Sequence, residues 1–174
     1  LGQGSSQPVG MALSFRRDHK QNRVFLVMSD GEQQEGQTWE AVLFAGKYKL
    51  SNLCAVIDRN NIQIDGNTED IMPLGDLRDK YEAFGWHVLE VDGHSIEAIV
   101  AAYREAEAIY EKTTVIVAHT VPGKGVDFME RNYKWHGAPP DASDVPGAPK
   151  KGDQAKVALA ELRTLRGQIT SEHQ

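Results

Sequence analysis

VFLVMSDGEQQEGQTWEA, residues 24–41, is the stretch that decides the fold. An apolar, β-branched run stops at Asp30-Gly31, and Glu32, Glu35 and Glu40 follow within ten positions. A continuous apolar run without alternation is what a parallel strand covered on both faces requires. A carboxylate-rich turn straight after it lies where open parallel sheets collect ligands, outside the carboxyl ends of the strands.

Working outward from this stretch, helical and extended periodicities alternate. Residues 7–20 carry Val9, Met11, Ala12 and Phe15 at helical spacing, with Pro8 suited to a first helical position. Helices are expected again over 37–49, with Trp39, Val42, Leu43 and Phe44 inward, over 74–85, stopping at Gly85, and over 95–110, with Ser95 near the N-cap. Strands are expected at 23–29, 53–58, 86–92 and 113–120. Each crossover is long enough for a right-handed βαβ unit, so the fold class is α/β: a doubly wound, mostly parallel sheet with helices on both faces. Residues 141–153, within the Pro-, Ala-, Gly- and Asp-rich stretch 137–153, read as a linker. The stretch 154–169, with Val157, Leu159, Leu162 and Leu165, reads as a final helix.

Composition narrows the function. The 174 residues suffice for one compact domain. The formal charge of −6, with no basic block, argues against nucleic acid or an anionic membrane as the main partner. It does not exclude a phosphate ligand, since phosphate sites are built locally from backbone N–H groups and metals. No run approaches the roughly 18–20 apolar residues of a membrane span. The single cysteine, Cys54, fits a soluble, cytoplasmic protein and reads as a core residue. The opening LGQGSS already looks like the inside of a glycine-rich loop, which suggests a fragment or a processed piece.

Two polar clusters close the strands that matter. Ser29-Asp30-Gly31-Glu32 ends the first, and Asp58-Arg59-Asn60-Asn61-Ile62 ends the second. One helix separates them, so the strand ends can be spatial neighbours. A hard divalent cation takes a carboxylate, an amide oxygen, a main-chain carbonyl, water and phosphate oxygens. Asp30, Asn60 and the carbonyl of Ile62 supply the protein's share of such a set, and Gly31 lets backbone approach a diphosphate. Taken alone, Asp30 and Asn60-Asn61 are equally ordinary turn residues, and Glu35 and Glu40 equally solvated charges near a helix start.

Asp30-Gly31 followed by Asn60-Asn61 resembles the G-D-G…N-N signature of thiamine-diphosphate enzymes. With DGEQQEGQTWEA, FAGKYKLSNL, DRNNIQIDG, AFGWHVLEVDGH and GKGVDFMERNYKWHGAP, residues 1 to about 140 resemble the amino-terminal, diphosphate-binding half of a transketolase. The tail helix resembles the end of that half in transketolases made as two subunits. The Glu-Gln-Gln-Glu-Gly run favours transketolase over deoxyxylulose-phosphate synthase and pyruvate dehydrogenase.

The resemblance implies Mg²⁺ or Ca²⁺ held by Asp30, Asn60 and the Ile62 carbonyl. It implies thiamine diphosphate contacted by Leu1, Gly2, Gly31, Glu32, Ile64 and His136 as well as by those ligands. His136 would lie near the substrate channel, and Glu35 and Glu40 would be buried glutamates linking two active sites across a dimer. Asp65 would shape the far side of the metal loop. A partner carrying the pyrimidine-binding half, in a dimer or an α₂β₂ assembly, and sugar phosphates of the pentose phosphate pathway complete the expectation. Without that half the chain is expected to be inert. Four positions depart from the family: Ser29 for the first glycine of G-D-G, Gln7-Pro8 for a small apolar pair, and Pro122 for a frequent lysine. Ser29 keeps open a second reading, a non-catalytic binding or scaffold subunit that retains the fold, and another ketol transferase of the same family, acting on different donors, is a further alternative.

Overall fold

The computed structural model describes residues 1–142 and 144–164. The chain divides into two compact units, residues 1–60 with 72–120, and residues 61–71 with 121 onward.

The first unit is a four-stranded, wholly parallel sheet. Its strands are β1 (Val24–Ser29), β2 (Leu53–Arg59), β5 (His87–Asp92) and β6 (Thr114–His119), in the spatial order β1-β2-β6-β5. Helix α1 (Gln3–Arg17) precedes β1, and α2 (Gly36–Tyr48), α4 (Leu77–Ala83) and α5 (Ile96–Ala108) lie between successive strands. Side chains alternate across the sheet with the period of two that a strand imposes. Leu53, Ala55 and Ile57 of β2 join Leu26, Met28, Val115 and Val117 in the larger core, which takes in residues of α1, α2 and α4. Cys54 and Ile116 point the other way and pack with Ala102 and Ala106 of α5. The doubly wound parallel sheet expected from the sequence is the fold observed.

Three expectations change, the first in α2, where Leu43 and Phe44, expected inward, are exposed while Ala41, Val42 and Ala45 take the buried face. The continuous apolar run of β1 implied burial on both faces, yet β1 is the edge strand of this chain's sheet. Val24, Leu26 and Met28 are buried, while Phe25 and Val27 are 52 % and 70 % exposed. Pro8 is not at a first helical position, because α1 begins at Gln3. It sits in the second turn, where the helix forgoes one hydrogen bond to the carbonyl of Gly4.

Close packing explains Gly46 of α2: a Cβ there would lie 2.0 Å from the carbonyl oxygen of Phe84. That contact seats α2 against the turn where Trp86, fully buried, donates its indole N–H to the carbonyl of Val42 at 2.9 Å. Asp76 and Ser95 cap α4 and α5 through the amides of Asp79 and Ala98.

The second unit holds a two-stranded antiparallel hairpin, β3 (Ile62–Gln63) and β4 (Gly66–Asn67), a short helix α3 (Thr68–Ile71), and helix α6 (Gln154–Thr164). The stretch expected as a linker carries specific bonds. The Asp141 carboxylate accepts from the amides of Gly152 (2.7 Å), Gln154 (3.0 Å) and Ala155 (3.2 Å), and the Gln154 side chain accepts from the Asp141 amide at 2.7 Å. Desolvation raises the Asp141 pKa, but these amides and Lys151 outweigh it and hold the carboxyl below its ordinary value. Leu165 and the rest of the expected helix, 165–169, lie outside the described residues.

Candidate functional site

The site grows from the β1–β2 register. Ser29 pairs with Asp58, so Asp30 and Arg59 leave their strands side by side. Asp30 is fully buried, and its Oδ2 accepts from Nη1 of Arg59 at 2.8 Å. One residue on, the Asn60 amide nitrogen donates to Asp58 Oδ2 at 3.1 Å, and Thr120 donates its hydroxyl to Asp58 Oδ1. This bond fixes the amide's direction: nitrogen toward Asp58, and the carbonyl oxygen, a donor of the type a hard cation takes, at the other end.

After Asp30 the chain makes one 3-10 turn, Gly31–Gln34, centred on a buried glutamine. The Gln33 side chain donates to the carbonyl of Ser29 at 3.2 Å and accepts from the Tyr81 hydroxyl at 2.7 Å. The Gln33 carbonyl accepts from the Trp39 indole at 2.8 Å. Tyr81 is fully buried and packs against Trp39 and Trp86, with ring centroids 5.5 Å and 5.3 Å apart. Rigid core thus reaches directly to the backbone of the Ser29-Asp30-Gly31 turn.

Glu32 reaches backwards. One carboxylate oxygen accepts from the Ser29 amide at 3.0 Å and the other from the Gly2 amide at 3.4 Å. Gly2 has φ of 75°, and a Cβ there would lie 2.7 Å from Glu35 Cβ, so only glycine fits. Ser5, buried, donates its hydroxyl to the Gly2 carbonyl at 2.6 Å. Gly31 differs in kind. A Cβ there meets only Leu1 Cδ2, at 3.9 Å, so nothing in the chain demands a glycine at that position. Space left open by a missing Cβ beside a buried carboxylate suits a bound group. Ser29 is accommodated without strain, being absent from the residues of positive φ.

The expected site residues therefore fall as follows. Leu1, Gly2, Asp30, Gly31, Glu32, Glu35 and Asn60 are all carried by the first unit. Leu1 is 80 % exposed. Glu35 is half-buried and Glu40 exposed on this chain; their expected burial was across a chain–chain interface. Ile62, Ile64 and His136 belong to the second unit. There Ile62 is buried in β3, Ile64 is 75 % exposed, and His136 is exposed after the 3-10 turn Tyr133–Trp135. Trp135 is held by a bond from its indole to the Phe128 carbonyl at 3.0 Å. Asn61, at φ 64°, makes the left-handed step that turns the chain from Asn60 toward β3, a conformation asparagine tolerates. Sequence reasoning missed Arg59, Gln33 and Tyr81, all within the first unit.

Among the described residues no cluster of three or more His, Cys, Asp or Glu could hold a metal ion. Within the first unit Asp30 and Asn60 supply one carboxylate and one amide oxygen, a set incomplete by itself, and a cation there needs further oxygens, phosphate and water among them, to fill its shell. That is the donor chemistry of a metal that arrives with a diphosphate, and the residues present fit it.

Comparison with known proteins identifies the family. The family model for the transketolase thiamine diphosphate binding domain matches residues 1–154. This chain belongs to the transketolase family. The chain is 46 % identical over 136 residues to the 6-deoxy-6-sulfo-D-fructose transketolase subunit SqwG of Clostridium sp. (strain MSTE9), covering 78 % of this chain and 50 % of that protein. It is 44 % identical over 142 residues to an apulose-4-phosphate transketolase subunit of Phocaeicola vulgatus, covering 82 % and 50 %. The crystal structure of Campylobacter jejuni transketolase superposes with a TM-score of 0.76 at 27 % identity, over 97 % of this chain and 30 % of that one. The chain thus spans about half the length of its subunit-type relatives. No helix among the described residues is long and apolar enough to cross a membrane.

Proposed function

We propose that this chain is the thiamine-diphosphate- and Mg²⁺-binding part of a transketolase that moves a two-carbon ketol unit from a ketose phosphate to an aldose phosphate. The observation that carries the proposal is the buried carboxylate of Asp30 just after β1, beside the strand β2 that Asn60 follows, with open space over Gly31. Bound there, thiamine diphosphate supplies the electron sink for breaking a carbon–carbon bond beside a ketone.

The chain's own residues anchor and orient. Asp30, Asn60 and the main-chain oxygen of Ile62 hold the cation, and the backbone at Gly31 meets the diphosphate. Glu32 contributes by tying the Gly2 amide to the Ser29 amide, one carboxylate oxygen on each, not by touching the phosphates, which its charge would repel. Ile64 and His136 complete the cofactor and substrate side, and Glu35 and Glu40 connect two such sites in an assembly of at least two copies.

Catalysis requires a partner carrying the pyrimidine-binding half. The names of the relatives, subunits of transketolases for a sulfonated ketose and for apulose 4-phosphate, support a split enzyme. They also support a substrate carrying an anionic group at the end remote from the ketol unit. The test is reconstitution: this chain with a carboxy-terminal transketolase half, thiamine diphosphate and Mg²⁺ transfers a ketol unit, and neither half does so alone. A complex that binds cofactor and transfers nothing from ketose phosphates or sulfonated ketoses would replace this reading with a non-catalytic subunit.

A further inference from the structure

We propose that Arg59 is a built-in counter-ion of the cation site, a positioning residue that takes the metal's electrostatic place on Asp30 until the metal arrives; this rests on the reading of Asp30 as a metal ligand. Three observations carry it. The Arg59–Asp30 pair is short, 2.8 Å, and its side chains are only 10 % and 1 % exposed. At such burial a carboxylate needs a partner charge, because an uncompensated one is costly. The register that sets Ser29 against Asp58 makes the pairing a property of the sheet and not of a mobile loop.

The other carboxylates near Arg59 are already committed. Arg59 lines a cavity of about 200 Å³ with Asp76, Arg78, Glu90 and His119. Within it Glu90 accepts from Arg78 Nε at 2.8 Å and meets His119 Nε2 at 3.0 Å. Asp76 is the cap of α4, accepting from the Asp79 amide at 3.1 Å. The Arg59 guanidinium donates to the Asp30 carboxylate. By taking Oδ2 the guanidinium also fixes the plane of the carboxylate and presents a set orientation to a cation.

The consequence is a site that folds without metal and gains only modestly from it. Removing the arginine's charge inverts this, because the metal then supplies the counter-charge that the arginine gave. The experiment follows the unfolding midpoint of the chain in complex with a carboxy-terminal transketolase half, by tryptophan fluorescence, with and without saturating Mg²⁺ and thiamine diphosphate. Arg59→Met is expected to lower the ligand-free midpoint by roughly 6–20 °C. Its rise on adding Mg²⁺ and thiamine diphosphate should be at least twice the parent's. Arg59→Lys, which keeps the charge, should stay near the parent in both. The double variant Asp30→Asn/Arg59→Met, which removes both charges, should recover most of the lost ligand-free midpoint and show no ligand-induced rise.

A parent that responds to Mg²⁺ and thiamine diphosphate, with Arg59→Met responding by no more than the parent, overturns the counter-ion role and leaves the metal site standing. A double variant as unstable as Arg59→Met, or unable to fold, likewise assigns Arg59 to packing. A parent that shows no rise at all overturns the metal-site reading and this inference with it.

Discussion

Replacing Tyr81 by Phe removes one oxygen atom and tests whether the core holds the site turn. The hydroxyl is buried and donates to Gln33 Oε1 at 2.7 Å, and Gln33 in turn holds the Ser29 carbonyl at 3.2 Å. Phenylalanine keeps the ring and its contacts with Trp39 and Trp86, so the change isolates the hydrogen bond. A buried acceptor deprived of its donor costs about 1–3 kcal/mol. For a chain of this size each kcal/mol moves the midpoint by roughly 2–4 °C, giving an expected fall of about 2–12 °C. Urea unfolding followed by tryptophan fluorescence measures the free energy directly, and cofactor titration of the same variant should show weaker binding. Tyr81→Leu, which also loses the ring contacts, should cost more. A Tyr81→Phe variant within about 0.5 kcal/mol of the parent, or one as damaged as Tyr81→Leu, would refute the claim that this bond ties core to site.

Other outcomes follow from single contacts. Gly2→Ala forces a side chain into a left-handed backbone and 2.7 Å from Glu35 Cβ, so thiamine diphosphate binding should weaken sharply while the unfolding midpoint changes by only a few degrees; unchanged titration would contradict the loop's role. Cys54 is buried and its thiol is pushed up to about 11, by desolvation first, with Glu107 adding and Arg23 opposing. It should resist iodoacetamide at pH 8 in the folded chain and react in denaturant; rapid labelling of folded protein would count against the packed α5 face. Asp141 has a depressed folded pKa, so its contribution is fully present above the ordinary carboxyl value and is lost as pH falls through the folded one. Protection of the Gly152, Gln154 and Ala155 amides against hydrogen exchange should therefore drop in that acid range and be absent at neutral pH in Asp141→Ala. Protection indifferent to either change would contradict the role given to these bonds.

The parallel sheet was legible because β2 and β6 read as unbroken apolar runs and are buried along almost their whole length. The same cue misled at β1, since an apolar run cannot say whether its strand is central or at an edge. Asp30 and Asn60 were legible as polar residues ending adjacent strands. Their partners were not: the Arg59–Asp30 pair depends on the β1–β2 register, which no local pattern encodes. Gln33 looked like one more polar residue in a polar run, and its burial follows from Tyr81, 48 positions later. The hairpin β3–β4 was hidden in the four residues that pair within it, too few for a period to show. Asp141 and Gln154 read as polar residues of a linker, because reciprocal bonds across 13 positions leave no periodic trace.

The central claim is tested most directly by calorimetric titration of thiamine diphosphate into the chain, with Mg²⁺ and a carboxy-terminal transketolase half present, for the parent and for Asp30→Ala. Binding should be saturable, require Mg²⁺ and fall in Asp30→Ala by more than the roughly 10–100-fold that losing an outer-shell partner of a metal costs. Binding that is indifferent to Mg²⁺ and to Asp30, or no binding with the partner half present, would contradict that claim.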